Sequence, residues 1–378
     1  MINWAQLKAN YAYVDTPYDL IYVCENNYLS NSSITKSYSP ICILTHILGV
    51  FSGYLFPLIG GFGIVSNGLI CFIFAIKYKK KTRQVILLSF LSLSDFLFTF
   101  SFGWLWIFPA KGLPYATEGR VYYFIINNGD LACRFFRSFC ITCSTWTLGS
   151  FLVVCFDRFL AIFFPLQMIR FRTKFTIYIS IGMLGLCIVF ANVYNGFLKS
   201  TKIGLKIFCT FSLDYDKVLV DFLTIWRLLF VYSGMVPVLI ILIINICLLW
   251  RISNKSAKNE TLGENAVKKF RKEIKATVIV LILSIFFLFG SILNVCLFMT
   301  VIYVESINSH NQEFQDQLQI LYNLIDIGAH ITFVMESVNI FIYYAKMKQF
   351  RQYIHNIFRV FTELKSTLNF TSLTEATL

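Results

Sequence analysis

Two carboxylates stand in segments whose other residues are almost all apolar. Asp95 falls inside the run Val85 to Pro109, and Glu336 inside Leu318 to Tyr344. A charge left alone in hydrocarbon is expensive, so both side chains should face a protein interior and find partners there. Asn67, Thr147 and Asn339 sit at matching depth in other apolar runs. Two carboxylates in one pocket repel unless a cation or a proton lies between them. The group Asp95, Asn67, Thr147, Glu336 and Asn339 therefore reads as an ion or proton site, with sodium as the cation expected near Asp95. The plainer alternative is a neutral Asp95 hydrogen-bonded to Asn339. A second charged cluster, Asp157-Arg158-Phe159, closes another apolar run. It lies 25 residues after Cys133, about 37 Å of helix, so the two features belong to opposite faces of a bilayer.

The elements that must hold these groups follow from composition. The chain has 378 residues, 57% of them apolar, 17% aromatic and only 14% charged. Soluble domains carry about a quarter charged residues, so lipid is the solvent for most of this one. Seven runs reach the roughly 20 residues that a membrane helix needs: Thr45 to Ile76, Val85 to Pro109, Leu131 to Phe164, Phe175 to Phe197, Trp226 to Trp250, Ala276 to Tyr303, and Leu318 to Tyr344. Sustained two-residue alternation is missing from them, which argues against a barrel. The expected fold is an all-α, seven-transmembrane helix bundle in a plasma membrane. Pro237 should kink the fifth helix, and residues 110–129 read as a flexible outer insertion.

Basic residues fix the expected orientation. Lys77, Lys79, Lys80, Lys81 and Arg83, then Arg158, Arg170, Arg172 and Lys174, then eight between Arg251 and Lys275 and five from Lys346 to Lys365, gather in alternate connections. Positive residues stay cytoplasmic, so the N-terminus is expected outside and the C-terminus inside. The net charge of +13 then reports topology and contact with anionic lipid, not nucleic acid. No apolar core of a signal peptide is visible near Met1, so the first helix is expected to insert itself. Asn31-Ser32-Ser33 is an acceptor triplet for glycosylation on the outer side.

Cys24, Cys42, Cys133 and Cys209 also fall outside, where disulfides form. Sequence does not fix the connectivity; Cys133 with Cys209 is the favoured pair and Cys24 with Cys42 the remaining one. Past the last run, Met347, Phe350, Ile354, Ile357 and Phe361 recur at helical spacing among Lys348, Arg351, His355 and Arg359, as in a helix lying along the inner leaflet. The expected organisation is an extracellular segment (1–44), the seven-helix domain (45–345), an amphipathic surface helix (346–362) and a cytoplasmic tail (363–378).

Taken together, these residues resemble the rhodopsin-like G-protein-coupled receptors. Gly63-Ile64-Val65-Ser66-Asn67 is similar to that family's first-helix motif, and Leu91-Ser92-Leu93-Ser94-Asp95 to its second-helix motif. Cys133 and Cys209 resemble its outer disulfide pair, Asp157-Arg158-Phe159 its Asp-Arg-Tyr triplet followed by Pro165, Pro237 its fifth-helix proline, and Asn339-Ile340-Phe341-Ile342-Tyr343 its Asn-Pro-x-x-Tyr motif. The likeness runs from about Gly60 to Phe361. It implies a receptor that opens its inner face to a heterotrimeric G protein, with Arg158 and Tyr343 stabilising the open state and Glu273 pairing with Arg158 in the closed one. Departures are plain: no Trp or Pro lies between Phe286 and Asn294, Ile340 replaces the seventh-helix proline, and the fourth helix has no Trp.

The resemblance also narrows the ligand. Cys140 occupies the position at which amine receptors carry an Asp, and Leu318 to Tyr344 lacks the retinal-bearing Lys of opsins. Arg137, Asp326, Cys140, Trp104, Tyr232 and His330 are the candidate ligand contacts, Arg137 and Asp326 foremost. Mixed charge and abundant aromatics suit a short basic or amidated peptide better than a lipid. The competing readings are a seven-helix transporter or channel, whose internal repeats are not evident, and an intramembrane enzyme using Asp95 and Glu336 as a dyad. Neither a catalytic group nor a metal cluster stands out.

Overall fold

The computed structural model describes residues 40–78, 82–121, 123, 125, 128–164, 173–203, 206–211, 217–256, 264–307 and 312–359. Seven helices among them are long and apolar enough to cross a membrane. These are α1 (Cys42–Lys77), α2 (Arg83–Ala116), α3 (Asp130–Phe163), α4 (Thr173–Asn195), α5 (Lys217–Ser256), α6 (Glu264–Ile307) and α7 (Gln312–Ser337, continuing as Asn339–Lys346). An eighth helix, α8, covers 348–359. All seven expected runs are found, with ends shifted by a few residues. Such a bundle satisfies every backbone group within its own segment, which lipid demands.

Three local features depart from the expectation. The outer insertion read at 110–129 is in part helical: α2 runs on past Pro109 to Ala116, through a wide-turn π-helical stretch at Thr99–Gly112. Close packing on α1 explains this, because a Cβ on Gly112 would meet the Ser52 carbonyl oxygen at 2.2 Å. Secondly, Pro237 does not divide α5, which runs as one helix from Lys217 to Ser256 with the proline inside it; lone prolines are tolerated in membrane helices when neighbouring turns adjust. Thirdly, a two-stranded antiparallel hairpin, β1 (Leu198–Ile203) and β2 (Lys206–Phe211), stands between α4 and α5. Its alternation is too short to stand out in sequence.

The bundle interior has two main apolar clusters. One, nearer Arg158, joins Phe74, Leu88, Phe151, Ile241, Val280, Phe287, Tyr343, Phe350 and Ile354. Phe151 and Phe287 stack there with centroids 4.1 Å apart, a pair worth about 0.5–1.5 kcal/mol beyond area alone. The other gathers Phe56, Phe98, Ile107, Cys143, Ala329 and Phe333. Many large side chains face outward, among them Leu58, Val65, Tyr178, Val189, Ile243 and Phe289. In lipid they are solvated, and helix association rests on close packing and polar contacts between helices.

Candidate functional site

The mid-bundle cluster is assembled by α1, α2 and α7. Asp95 is fully buried and Glu336 is 3% exposed. Asn339 Nδ2 donates to Asp95 Oδ2 at 3.0 Å. Thr99, one helical turn beyond Asp95, donates to Glu336 Oε2 at 3.3 Å. Asn67 Nδ2 donates to the Glu336 backbone carbonyl at 3.4 Å. Helix α7 is interrupted at Val338, just before Asn339, and its hydrogen-bond ladder tightens there, Phe341 N–H reaching the Val338 carbonyl at 3.0 Å. The interruption needs no proline, for Ile340 occupies the usual place of one. Asp95 Oδ1, Glu336 Oε1, Asn67 Oδ1 and Thr147 Oγ1 are all buried without a hydrogen-bond partner. Thr147 thus shares the interior but bonds neither carboxylate.

Orphaned acceptors in this number are unusual, because buried polar atoms almost always find a partner. Glu336 lies within electrostatic reach of Asp95. The donor set is oxygen-rich and cation-free in its hydrogen bonds, so it suits a hard cation or a shared proton. No cluster of three His, Cys, Asp or Glu with metal-binding geometry occurs among the described residues.

At the far end of α3, Arg158 is 3% exposed. Its Nε donates to Asp157 Oδ2 at 3.1 Å, Nη2 makes a shorter contact to the same oxygen, and Nη1 reaches Glu273 Oε2 on α6 at 3.2 Å. Arg83, from the start of α2, brings its Nε within 3.8 Å of Asp157 Oδ1. The carboxylate is thus shared by two guanidiniums. Phe159 stacks on Phe163 at 4.5 Å. Tyr343 is fully buried between Phe74 and Phe350, 5.2 and 5.9 Å away, and so ties α7 to α1 and α8. Just past α1, burial and the neighbouring Tyr353 push the Tyr78 hydroxyl up to about 12, so it stays protonated as that end packs.

At the opposite end, Cys133 and Cys209 form a disulfide that ties the first turn of α3 to β2. Arg134 Nε donates to the Leu198 carbonyl at 2.7 Å, and Arg137 Nη1 to the Cys209 carbonyl at 3.3 Å. Arg137 also lies over the Trp106 ring, 5.7 Å from its centroid. Asp326 pairs with Lys111 Nζ at 2.5 Å. This pairing is a finding: the anion read as a contact for a basic ligand already has an internal cation. Lys111 falls in the stretch that reads as an outer insertion, and nothing in its sequence neighbourhood marks it as a helix residue facing α7.

Three further candidates have interior roles. His330 is 3% exposed and its Nε2 lies 2.7 Å from Ser52 Oγ, among Phe51, Phe56 and Phe333. Trp104 packs on Phe56 and Phe108 beside α1. Cys140 is fully buried, its thiol donating to the Ser101 carbonyl. All three meet α1 or α2, which explains why sequence periodicity could not separate them from cavity-lining residues. Tyr232 lies on α5, and its side chain is outside the described residues, as are Asn31 and Cys24. Cys42 is disulfide-bonded; Cys24, its expected partner, falls outside that description. Arg83, Thr99 and Lys111 were missed. Arg83 alone left a signal, as a basic residue at the same end as Arg158.

Compared with known families, residues 66–369 match the model described as "7 transmembrane receptor (rhodopsin family)". Lysophosphatidic acid receptor 6 of Gallus gallus is similar, 27% identical over 125 residues, which is 32% of this chain and 36% of that protein. The similarity thus spans about a third of that relative's length.

Proposed function

The chain belongs to the rhodopsin family of seven-transmembrane receptors, and from that premise we propose that it carries an extracellular ligand signal to a heterotrimeric G protein across the plasma membrane. Its N-terminus lies outside and its C-terminus inside. The observation that carries this reading is Arg158, held on α3 by Asp157 and joined to α6 through Glu273. A buried guanidinium with one partner on its own helix and one on another is a two-state contact. Breaking the Glu273 arm frees the end of α6, and a partner at that face can then bind the open form better than the closed one. A transporter or enzyme would not need this arrangement.

Arg158 and Tyr343 are the residues we assign to the open state, Glu273 to the closed one, and Asp157, with Phe159, to positioning Arg158. The Asp95 and Glu336 pocket takes sodium or a proton. Sodium fits through the unpartnered oxygens of Asp95, Glu336 and Thr147, and would supply only the charge that keeps two carboxylates together.

The ligand we assign is a short peptide, entering at the disulfide end near Arg137 and Trp106. Asp326 is paired with Lys111, and two guanidiniums, Arg134 and Arg137, stand at the disulfide end on the Leu198 and Cys209 carbonyls. That favours an acidic group on the ligand, such as a peptide C-terminal carboxylate, over a basic one. The same observation supports a second reading, an anionic lysophospholipid of the kind the Gallus gallus relative is named for. The test is G-protein dissociation in cells expressing the chain, challenged with a peptide library and with lysophosphatidic acid, wild type beside Arg158→Ala. A ligand response lost in the variant supports the reading. A surface-expressed chain that answers neither class, and whose basal signal is the same in both forms, overturns it.

A further inference from the structure

Two thiols on α3 meet at one place against α2. Cys140 and Cys143 stand three residues apart, so they share a helix face, and both are buried. Cys140 donates to the Ser101 carbonyl at 3.3 Å, and the Ser101 side chain lies against both sulfurs. The Cys140 sulfur is also within electrostatic reach of Cys143 and of Arg137, one turn before it on the same face. Other described thiols stand singly, each against a hydroxyl: Cys71 against Ser89, Cys155 against Ser284 and Cys187 against Thr145. Those three read as small interior residues; the pair on α3 has a different capacity.

Spacing decides what such a pair can hold. Disulfide partners have Cβ atoms about 3.8 Å apart, whereas helix residues one turn apart have them about 5–6 Å apart. Cys140 and Cys143 accordingly remain free thiols. A metal–sulfur bond is about 2.3 Å long, so a cation held in line between two sulfurs needs them about 4.6 Å apart, within reach of that spacing. Zinc takes four ligands in a structural site, and no third His, Cys, Asp or Glu joins the two sulfurs among the described residues. Soft thiolates select copper(I), for which two suffice. One copper(I) with two thiolates carries a single negative charge, and a buried charge is costly without an opposite one. Arg137 supplies it from the adjoining turn.

We propose that Cys140 and Cys143 form a two-thiolate site for copper(I), with Arg137 as its balancing charge. Each sulfur releases its proton to water and gives a lone pair to the metal, whose oxidation state does not change. Cys140 lies seven residues inside Cys133, about 10 Å of helix, so the cation sits at the floor of the disulfide end, beyond Arg137. Coordination replaces the thiol contact on Ser101 and fixes one turn of α3 where it meets α2. The inference rests on that seat in the bundle and does not need the signalling reading to hold.

The test is metal retention by the purified full chain. Copper(I) is offered without oxygen as its bicinchoninate complex, in ascorbate, which keeps copper reduced and spares the Cys133–Cys209 disulfide. Bound copper is counted by elemental analysis, its neighbours are read by X-ray absorption, and the melting temperature of every variant is recorded as a folding check. Wild type should take one copper with two sulfur neighbours at this site, and its melting temperature should rise on loading. Cys140→Ser and Cys143→Ser should each weaken binding by more than about a hundred-fold, and Arg137→Gln, which removes a partner that does not touch the metal, by about ten-fold. Cys155→Ser with Cys187→Ser removes two buried thiols elsewhere and should leave the site intact. No bound copper in wild type, undiminished binding in either α3 cysteine variant, equal loss in the Cys155 and Cys187 variant, or zinc held as tightly as copper each overturns the proposal. Unchanged affinity in Arg137→Gln overturns the charge balance on which it is argued.

Discussion

Arg158 has one partner fully inside the protein and one that reaches water. Asp157 is 9% exposed at its side chain, Glu273 38%. An ion pair with a partly solvated member is screened, and contributes at most about 1 kcal/mol. Glu273→Gln should therefore raise ligand-independent G-protein activation by no more than about five-fold, read by dissociation of the heterotrimer in cells; an unchanged or lower basal signal would remove Glu273 from the closed-state role. At Asp95 and Glu336 the balance differs, because both groups are buried and each leaves one oxygen unpartnered. Leaving such a group unsatisfied costs about 1–3 kcal/mol. Glu336→Gln keeps the shape, removes the repulsion, and supplies a donor, so it should raise the melting temperature of the purified chain. It should also abolish any difference between sodium chloride and choline chloride. A sodium effect that survives the substitution would place the cation elsewhere.

Among the helices, closeness of approach decides more than hydrophobicity does. Gly112 has the Ser52 carbonyl oxygen where its Cβ would stand, whereas Gly182 on α4 has nothing within 4 Å. A backbone atom cannot swing aside as a side chain can, so Gly112→Ala must push α2 off α1. Gly182→Ala faces open space and gains helix propensity of about 1 kcal/mol. The first should lower the melting temperature sharply and the second leave it equal or higher; equal losses would mean that the α1 and α2 contact is not close-packed in the membrane. A similar seat links α6 and α7, where a Cβ on Gly328 would meet Asn294 Oδ1 at 2.1 Å and one on Gly290 would meet Thr332 Oγ1 at 2.7 Å. These two glycines bring α6 against α7 over the stretch in which the sixth helix lacks Trp and Pro.

For the molecule as a whole, orientation is the property on which every role depends. If the disulfide end is outside, Asn31 is accessible to glycosylation, while the acceptor triplets Asn254-Lys255-Ser256 and Asn259-Glu260-Thr261, at the end of α5 and in the connection after it, are not. Asn31→Gln should remove the mass shift that a glycosidase produces on the expressed chain, and Asn254→Gln with Asn259→Gln should not. The reverse pattern would invert the topology and with it the assignment of Arg158 to the G-protein side. The same orientation places α8 at the inner leaflet, where anionic lipid is concentrated.

The sequence by itself determined the seven helices, the motif residues Asp95, Arg158 and Asn339, and the basic helix after α7. Length of apolar run, isolated charge and helical spacing are local properties, and lipid leaves the backbone few choices. Pairing was decided only in three dimensions. Lys111 with Asp326, Arg83 with Asp157, Thr99 with Glu336 and Ser52 with His330 each join residues far apart in the chain. Spacing along one helix says which face a residue is on, but not which neighbour that face meets. The reach of α2 beyond Pro109 and the hairpin before α5 were decided in the same way, by contact with α1 and by the disulfide, for no local pattern encodes a partner's approach.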